Sequence, residues 1–167
     1  YLEYFEDSFL ISRANRYDVK GKKYISTPMK FYFTDCGLRN ARINFRQYEE
    51  THIMENIIYN ELLVRGYNVD VGMVEYNYST ADKKKVQKQL EVDFVCNQGS
   101  KRLYIQSALA LPTWEKEEQE QLSLQNINDS FKKIVITSNT PKPFYNDQGI
   151  LIMNVYVFLW NVDTFEL

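Results

Sequence analysis

The stretch Leu90-Glu91-Val92-Asp93-Phe94-Val95-Cys96, then Asn97-Gln98-Gly99-Ser100, then Leu103-Tyr104-Ile105-Gln106-Ser107-Ala108-Leu109 decides the fold. Both flanks alternate, and the four residues between them read as a hairpin loop. Successive side chains of a strand point to opposite faces of its sheet. Regular alternation therefore puts Glu91, Asp93 and Val95 on one face, with Tyr104, Gln106 and Ala108 sharing a face of the second strand. Leu90, Val92 and Phe94, with Leu103, Ile105, Ser107 and Leu109, take the opposite side. Polar and acidic residues are expected to converge on one side of a hairpin whose other side is apolar.

On the N-terminal side, a helix is expected from about Tyr48 to Arg65, with Ile53, Met54, Ile57, Ile58 and Leu62 as its apolar stripe and Gly66 as its stop. Glu55 lies at the margin of that stripe, where it can point back at the sheet. Val69, Val71 and Met73 alternate with polar or small residues as a strand, and Asn77 to Lys88 is polar and turn-like. On the C-terminal side, Thr113 is a plausible N-cap for a helix to about Leu124, Lys133 to Thr137 is a compact buried-type strand, and Gly149 to Val155 is a last strand. Before all of this, a first helix is expected to end near Ser12. A hairpin is centred on Lys20-Gly21-Lys22, and Phe31-Tyr32-Phe33 is a short aromatic strand. The order helix, three strands, helix, two strands implies an α/β fold, a mixed central sheet flanked by helices.

Composition excludes several classes of function. His52 is the only histidine, so a histidine-based triad, metal site or pH switch lacks material. Cys36 and Cys96 have no zinc spacing and read as two reduced thiols. There is no GxxxxGK[ST] loop and no GxGxxG after a strand. The longest apolar stretch, Ile150 to Trp160, is too short to span a bilayer, so no membrane partner is expected and the expected location is cytoplasmic. The thirteen tyrosines and ten phenylalanines suit cores, interfaces and base stacking alike. The net charge of -2 is unevenly spread. Nine Lys or Arg between Arg13 and Arg46 face only Asp18 and Asp35, and Lys83, Lys84, Lys85 and Lys88 form a second cluster. Arg13, Arg16, Lys20, Lys22, Lys23, Lys83, Lys84 and Lys85 are therefore candidate nucleic-acid contacts, against the plainer reading of a solvated surface.

Carboxylates at the ends of adjacent elements, with a lysine two residues beyond the second acid, are the layout of metal-dependent phosphodiester cleavage. The acids hold Mg²⁺, which polarises the phosphate, and the lysine orients or deprotonates the attacking water. The pattern Glu55…Gly66, Asp93, then Gln106-Ser107-Ala108 is similar to the Glu…Asp…Glu-x-Lys arrangement of PD-(D/E)XK nucleases, and most resembles their Holliday-junction-resolvase branch. Over nearly its whole length the chain resembles the uncharacterised C-terminal domain of bacterial and archaeal AAA-type ATPases. That likeness rests on Lys30-Phe-Tyr-Phe-Thr-Asp-Cys-Gly-Leu38, Glu55-Asn-Ile-Ile-Tyr-Asn-Glu-Leu-Leu63 with Arg65-Gly66-Tyr67, Glu91-Val-Asp-Phe94 and Tyr104-Ile-Gln106.

The resemblance implies a restriction-endonuclease-like domain over 34–167, with 1–33 as the tail of a preceding winged-helix segment whose wing is the hairpin around Gly21. It also implies a P-loop ATPase module N-terminal to both, which would carry ATP and Mg²⁺; no cofactor or metal is expected in the chain itself. Glu55, Glu91, Asp93, Gln106 and Ala108 are then vestigial nuclease positions. Gln106 replaces the second acid with a neutral ligand, and Ala108 stands where the lysine belongs. No lysine from another element presents itself as a replacement: Lys101 and Arg102 lie nearer the hairpin turn, and Lys132 and Lys133 open another strand. The expectation is a non-catalytic binding or regulatory domain of a larger ATPase. Its partners would be that ATPase module, with DNA or another protein as further candidates. The alternatives are a DNA-binding module and, third, an active nuclease.

Overall fold

A computed structural model describes residues 1–46, 49–79 and 84–166, without the side chains of Thr27 and Glu166. A short helix α1 (Leu2–Asp7) precedes the strands β1 (Ile11–Asp18) and β2 (Lys23–Phe33). After them come helices α2 (Cys36–Arg42) and α3 (Glu50–Val64), and strands β3 (Asn68–Ser79), β4 (Lys85–Gln98) and β5 (Lys101–Ala108). Helix α4 (Trp114–Gln125), strands β6 (Lys132–Thr137), β7 (Phe144–Tyr145) and β8 (Leu151–Asn154), and helix α5 (Val155–Trp160) follow, with a 3-10 turn at Thr164–Glu166 after them. Among the described residues the strands form one eight-stranded sheet in the order β2-β1-β3-β4-β5-β6-β8-β7. It is mixed: β1–β3, β5–β6 and β6–β8 are parallel and the other pairs antiparallel.

Helices cover both faces, and each face has its own apolar core. On one side Met54, Ile58, Tyr59 and Leu62 of α3 and Phe158 of α5 pack on Val71, Phe94, Cys96, Ile105 and Ile134. On the other, Leu124 of α4 packs with Val74, Val92, Val95, Tyr104, Ala108 and Val135. Residues of α4 match their sequence signals closely, since the Thr113 hydroxyl accepts from the Lys116 amide as an N-cap. Among the described residues no helix is long and apolar enough to cross a membrane.

The structure corrects four local expectations. The first helix stops at Asp7, not near Ser12, because Phe9 takes a positive φ of 57° and Ile11 already pairs with Phe33. The segment 1–33 is not a separate tail, because β1 and β2 form one edge of the common sheet, joined through β1 to β3. The last strand ends at Asn154, whose side chain accepts from the Tyr156 amide and starts α5 at Val155. The polar stretch from Asn77 is a strand arm rather than a loop, with Asn77 facing Gln87 and Ser79 facing Lys85. The expected start of α3 at Tyr48 lies outside the described residues; α3 is seen from Glu50.

The fifth difference decides the site. Asp70 pairs with Val95 and Gly72 with Val92, so β4 carries one residue more than β3 between them. This bulge turns Val95 to the α4 side with Val92, while Phe94 and Cys96 face α3. Gly72 fits because a Cβ there would stand 2.8 Å from Val95 Cγ2 and 3.0 Å from Val92 Cβ. Strand β5 has no such shift, so Tyr104 and Ala108 face α4 while Leu103 and Ile105 face α3.

Candidate functional site

Strand β2 brings two side chains to the α3 side at alternate positions, Lys30 and Tyr32. Tyr32 is stacked on Tyr59 of α3 with ring centroids 4.0 Å apart, and its hydroxyl donates to Glu55 Oε1 at 2.7 Å. Helix α3 is locked to this strand by Asn56, which accepts from the Phe33 amide at 2.8 Å and donates to the Phe33 carbonyl at 2.7 Å. Glu55, one turn before Tyr59, is thereby fixed over the sheet. The margin position expected for Glu55 is thus a site position, and not a solvated one.

The ammonium of Lys30 gathers three carboxylates. Its Nζ stands 2.9 Å from Glu55, 2.6 Å from Glu91 and 3.6 Å from Asp93. Arg16 of β1 adds a second cation, 2.6 Å from Glu91. Asp93 is almost wholly buried, and its Oδ2 accepts from the Ser107 amide at 2.9 Å. The Ser107 hydroxyl beside it is buried with no hydrogen-bond partner among the described residues.

Electrostatics follow from this packing. Burial, and then the charge of Glu55, hold the Asp93 carboxyl well above the ordinary carboxylate range. Burial works the same way on Glu91, but the hydrogen bonds from Lys30 and Arg16 outweigh it and hold Glu91 below its ordinary value. Lys30 loses solvation too, yet Asp93, Glu55 and Glu91 together raise its pKa, so it stays protonated. Tyr32 is pushed up by burial and by Glu55, and its hydroxyl keeps its proton.

Glu55, Glu91 and Asp93 are brought together as the sequence suggests; Gln106 and Ala108 are not part of the same face. Ala108 is a core residue under α4 and leaves no gap in the cluster. Gln106 lies on the same side of β5 as Ala108, where its Oε1 is 3.5 Å from the Ser123 hydroxyl of α4 and 3.4 Å from the Asp93 amide. The cation that stands among the three carboxylates is Lys30, from β2. Sequence reasoning missed Lys30, Arg16, Tyr32 and Ser107 as members of the site. The signal available was the alternation Lys30-x-Tyr32 in an aromatic strand.

These residues do not fit a divalent ion as they stand, because the ammonium already holds the carboxylates that would bind one. Among the described residues no group of three His, Cys, Asp or Glu side chains is arranged to hold a metal.

The candidate nucleic-acid contacts divide into two groups. Arg13 is bound to Glu6, its Nε 2.9 Å from Oε1, and Arg16 is in the cluster just described. Lys20, Lys22 and Lys23 lie exposed at the β1–β2 turn, which the Asp18 carboxylate closes by accepting from the Lys20 and Gly21 amides. Lys84 and Lys85 are exposed at the far end of the β3–β4 arm, and Lys83 lies outside the described residues.

No family model matches the chain. An uncharacterised protein of Haemophilus influenzae is similar to it, with 36% identity over 137 residues. That match covers 82% of this chain and 30% of the relative, so the chain spans about 30% of the length of the curated relative it matches.

Proposed function

We propose that this chain is a non-catalytic accessory domain of a larger protein: a nuclease-like fold whose carboxylate cluster is closed by its own lysine. The observation that carries the reading is Lys30, bonded to or beside Glu55, Glu91 and Asp93 at once. The tethered ammonium, with Arg16 beside it, offsets most of the acids' charge without offering the open coordination positions or the activated water that hydrolysis needs. Held protonated, it is also no general base. The element order α3, β3, β4, β5, α4, β6, with three antiparallel strands and then a parallel one, supports a restriction-endonuclease-like fold. An AAA-type ATPase module as the rest of the parent protein, in a cytoplasmic setting, belongs to the same reading. It rests on the family resemblance, and the relative has room for such a module outside the matched region.

The test is substitution of Lys30. The unaltered chain should leave linear and branched DNA intact in Mg²⁺ or Mn²⁺. Lys30→Met should lower stability by about 2–3 kcal/mol, because it leaves partly buried charges unpaired. Its melting temperature should then rise on adding Mn²⁺ as the carboxylates accept the ion, while the unaltered chain should not respond. Metal-dependent cleavage by the unaltered chain, abolished by Asp93→Ala, would overturn the proposal and make Lys30 part of an active centre.

A further inference from the structure

Beyond Val74 and Val92, strands β3 and β4 continue past the rest of the sheet. Strand β1 pairs with β3 only as far as Met73, and β5 pairs with β4 only from Phe94 onward. The pairs Glu75–Gln89, Tyr76–Lys88, Asn77–Gln87, Tyr78–Val86 and Ser79–Lys85 therefore form a two-stranded ribbon about 17 Å long. Tyr76, Val86 and Leu90 are half-buried; the other residues of 75–79 and 84–90 are exposed. An isolated two-stranded ribbon is marginal by itself, and a chain that keeps one has a use for its surfaces.

The two faces of the ribbon differ. Residues paired directly across an antiparallel ladder share a face. One face carries Tyr76 and Tyr78, stacked at 5.4 Å, with Val86 and Lys88. The other carries Asn77, Gln87 and Gln89, with Lys85 and Ser79 toward the tip and Glu75 at the root. Among the described residues of the ribbon Glu75 is the single acid, and it stands 3.5 Å from Lys20; Asp82 lies outside the described residues. Through that contact the exposed turn bearing Lys20, Lys22 and Lys23 lies against the root of the ribbon; Lys88 stands one pair outward from the root on the tyrosine face, and Lys84 and Lys85 are at the far end. The two basic regions of the chain thus adjoin. The amide face also runs on into Glu91, whose charge is already met by Lys30 and Arg16.

We infer that this ribbon is a binding element for duplex DNA, entering the major groove with its Asn77–Gln87–Gln89 face. A major groove about 12 Å wide admits a two-stranded ribbon. Asparagine and glutamine amides match the paired donor and acceptor on the adenine edge, and lysines on both sides of them reach the phosphates. Neutralised carboxylates at the root remove the repulsion that a bare acidic cluster would impose on the backbone. The inference stands apart from the catalytic silence proposed above, because it concerns binding and is tested with metal chelated.

The experiment is fluorescence-anisotropy titration of the chain with duplexes in chelator, beginning at low salt, followed by selection from a randomised duplex. The unaltered chain should bind duplex more tightly than single strand, and its affinity should fall steeply with salt. Lys85→Glu with Lys88→Glu should weaken binding at least tenfold and flatten the salt dependence. Asn77→Ala with Gln87→Ala should lower the discrimination between selected and scrambled sites about tenfold and leave the salt dependence alone. All four side chains are exposed, and circular dichroism checks that the ribbon variants keep their fold. Absence of duplex binding at low salt, or full affinity in the lysine variant, would overturn the inference. A ribbon built for a protein partner would give that second result.

Discussion

At the scale of single residues the molecule is organised around one ammonium. Lys30 meets carboxylates from helix α3 and from β4, and it does so from the edge strand β2, with β1 and β3 between them in the sheet. Asp93 is the most deeply buried of those acids, and burial holds its carboxyl above the ordinary range. A carboxyl raised above its unfolded value favours folding below that unfolded value, and the benefit disappears as pH rises through the folded one. Comparison with Asp93→Asn isolates this effect, because the opposite contribution of Glu91 is common to both proteins. The stability of the unaltered chain relative to Asp93→Asn should therefore increase as pH is lowered from about 8 to about 4, measured by urea unfolding at each pH. A difference that stays flat would mean that Lys30 keeps Asp93 ionised throughout.

At the scale of elements the bulge in β4 matters most. It sets Phe94 beside Asp93 toward α3 and sends Val95 into the other core. Gly72→Ala should force Val92 and Val95 apart and cost about 1–3 kcal/mol, read as a lower urea midpoint with an unchanged slope. Much of the architecture around this point is legible in the sequence. The alternation of Leu103 to Leu109, the stripe of Ile58 and Leu62, and the cap at Thr113 are local patterns that burial and hydrogen bonding enforce directly. The bulge is not legible, because Phe94, Val95 and Cys96 are all apolar and suit either face of the sheet, so an added residue leaves no mark in the pattern. Regular alternation holds for Glu91 and Asp93, which share a face, but it puts Gln106 and Ala108 on that face wrongly for this reason. Lys30 was hidden for another: its place depends on β1 lying parallel to β3, a long-range pairing that no local pattern announces. The ribbon alternates, Tyr76 and Tyr78 with Asn77 and Ser79, but its residues are polar on nearly every exposed position, so the segment reads as a polar turn.

At the scale of the whole molecule the sheet carries two cores, and Arg65 ties the C-terminal part to one of them. Its Nε is 2.8 Å from Glu61, another guanidinium nitrogen donates to the Phe158 carbonyl, and the group lies 4.3 Å from the centre of the Phe158 ring. Helix α3 and helix α5 therefore share one face of the sheet as a unit. Cys96 lies fully buried beneath them, paired across the ladder with Val69 and Leu103, whereas Cys36 at the start of α2 is half-buried. Burial raises the pKa of the Cys96 thiol far more than that of Cys36. A disulfide reagent should thus modify one sulfur promptly and the second only when the strands part, at a rate that follows unfolding as denaturant is added. The chain carries its own stopwatch: the delay between the two colour changes in a single cuvette times how often the domain comes open.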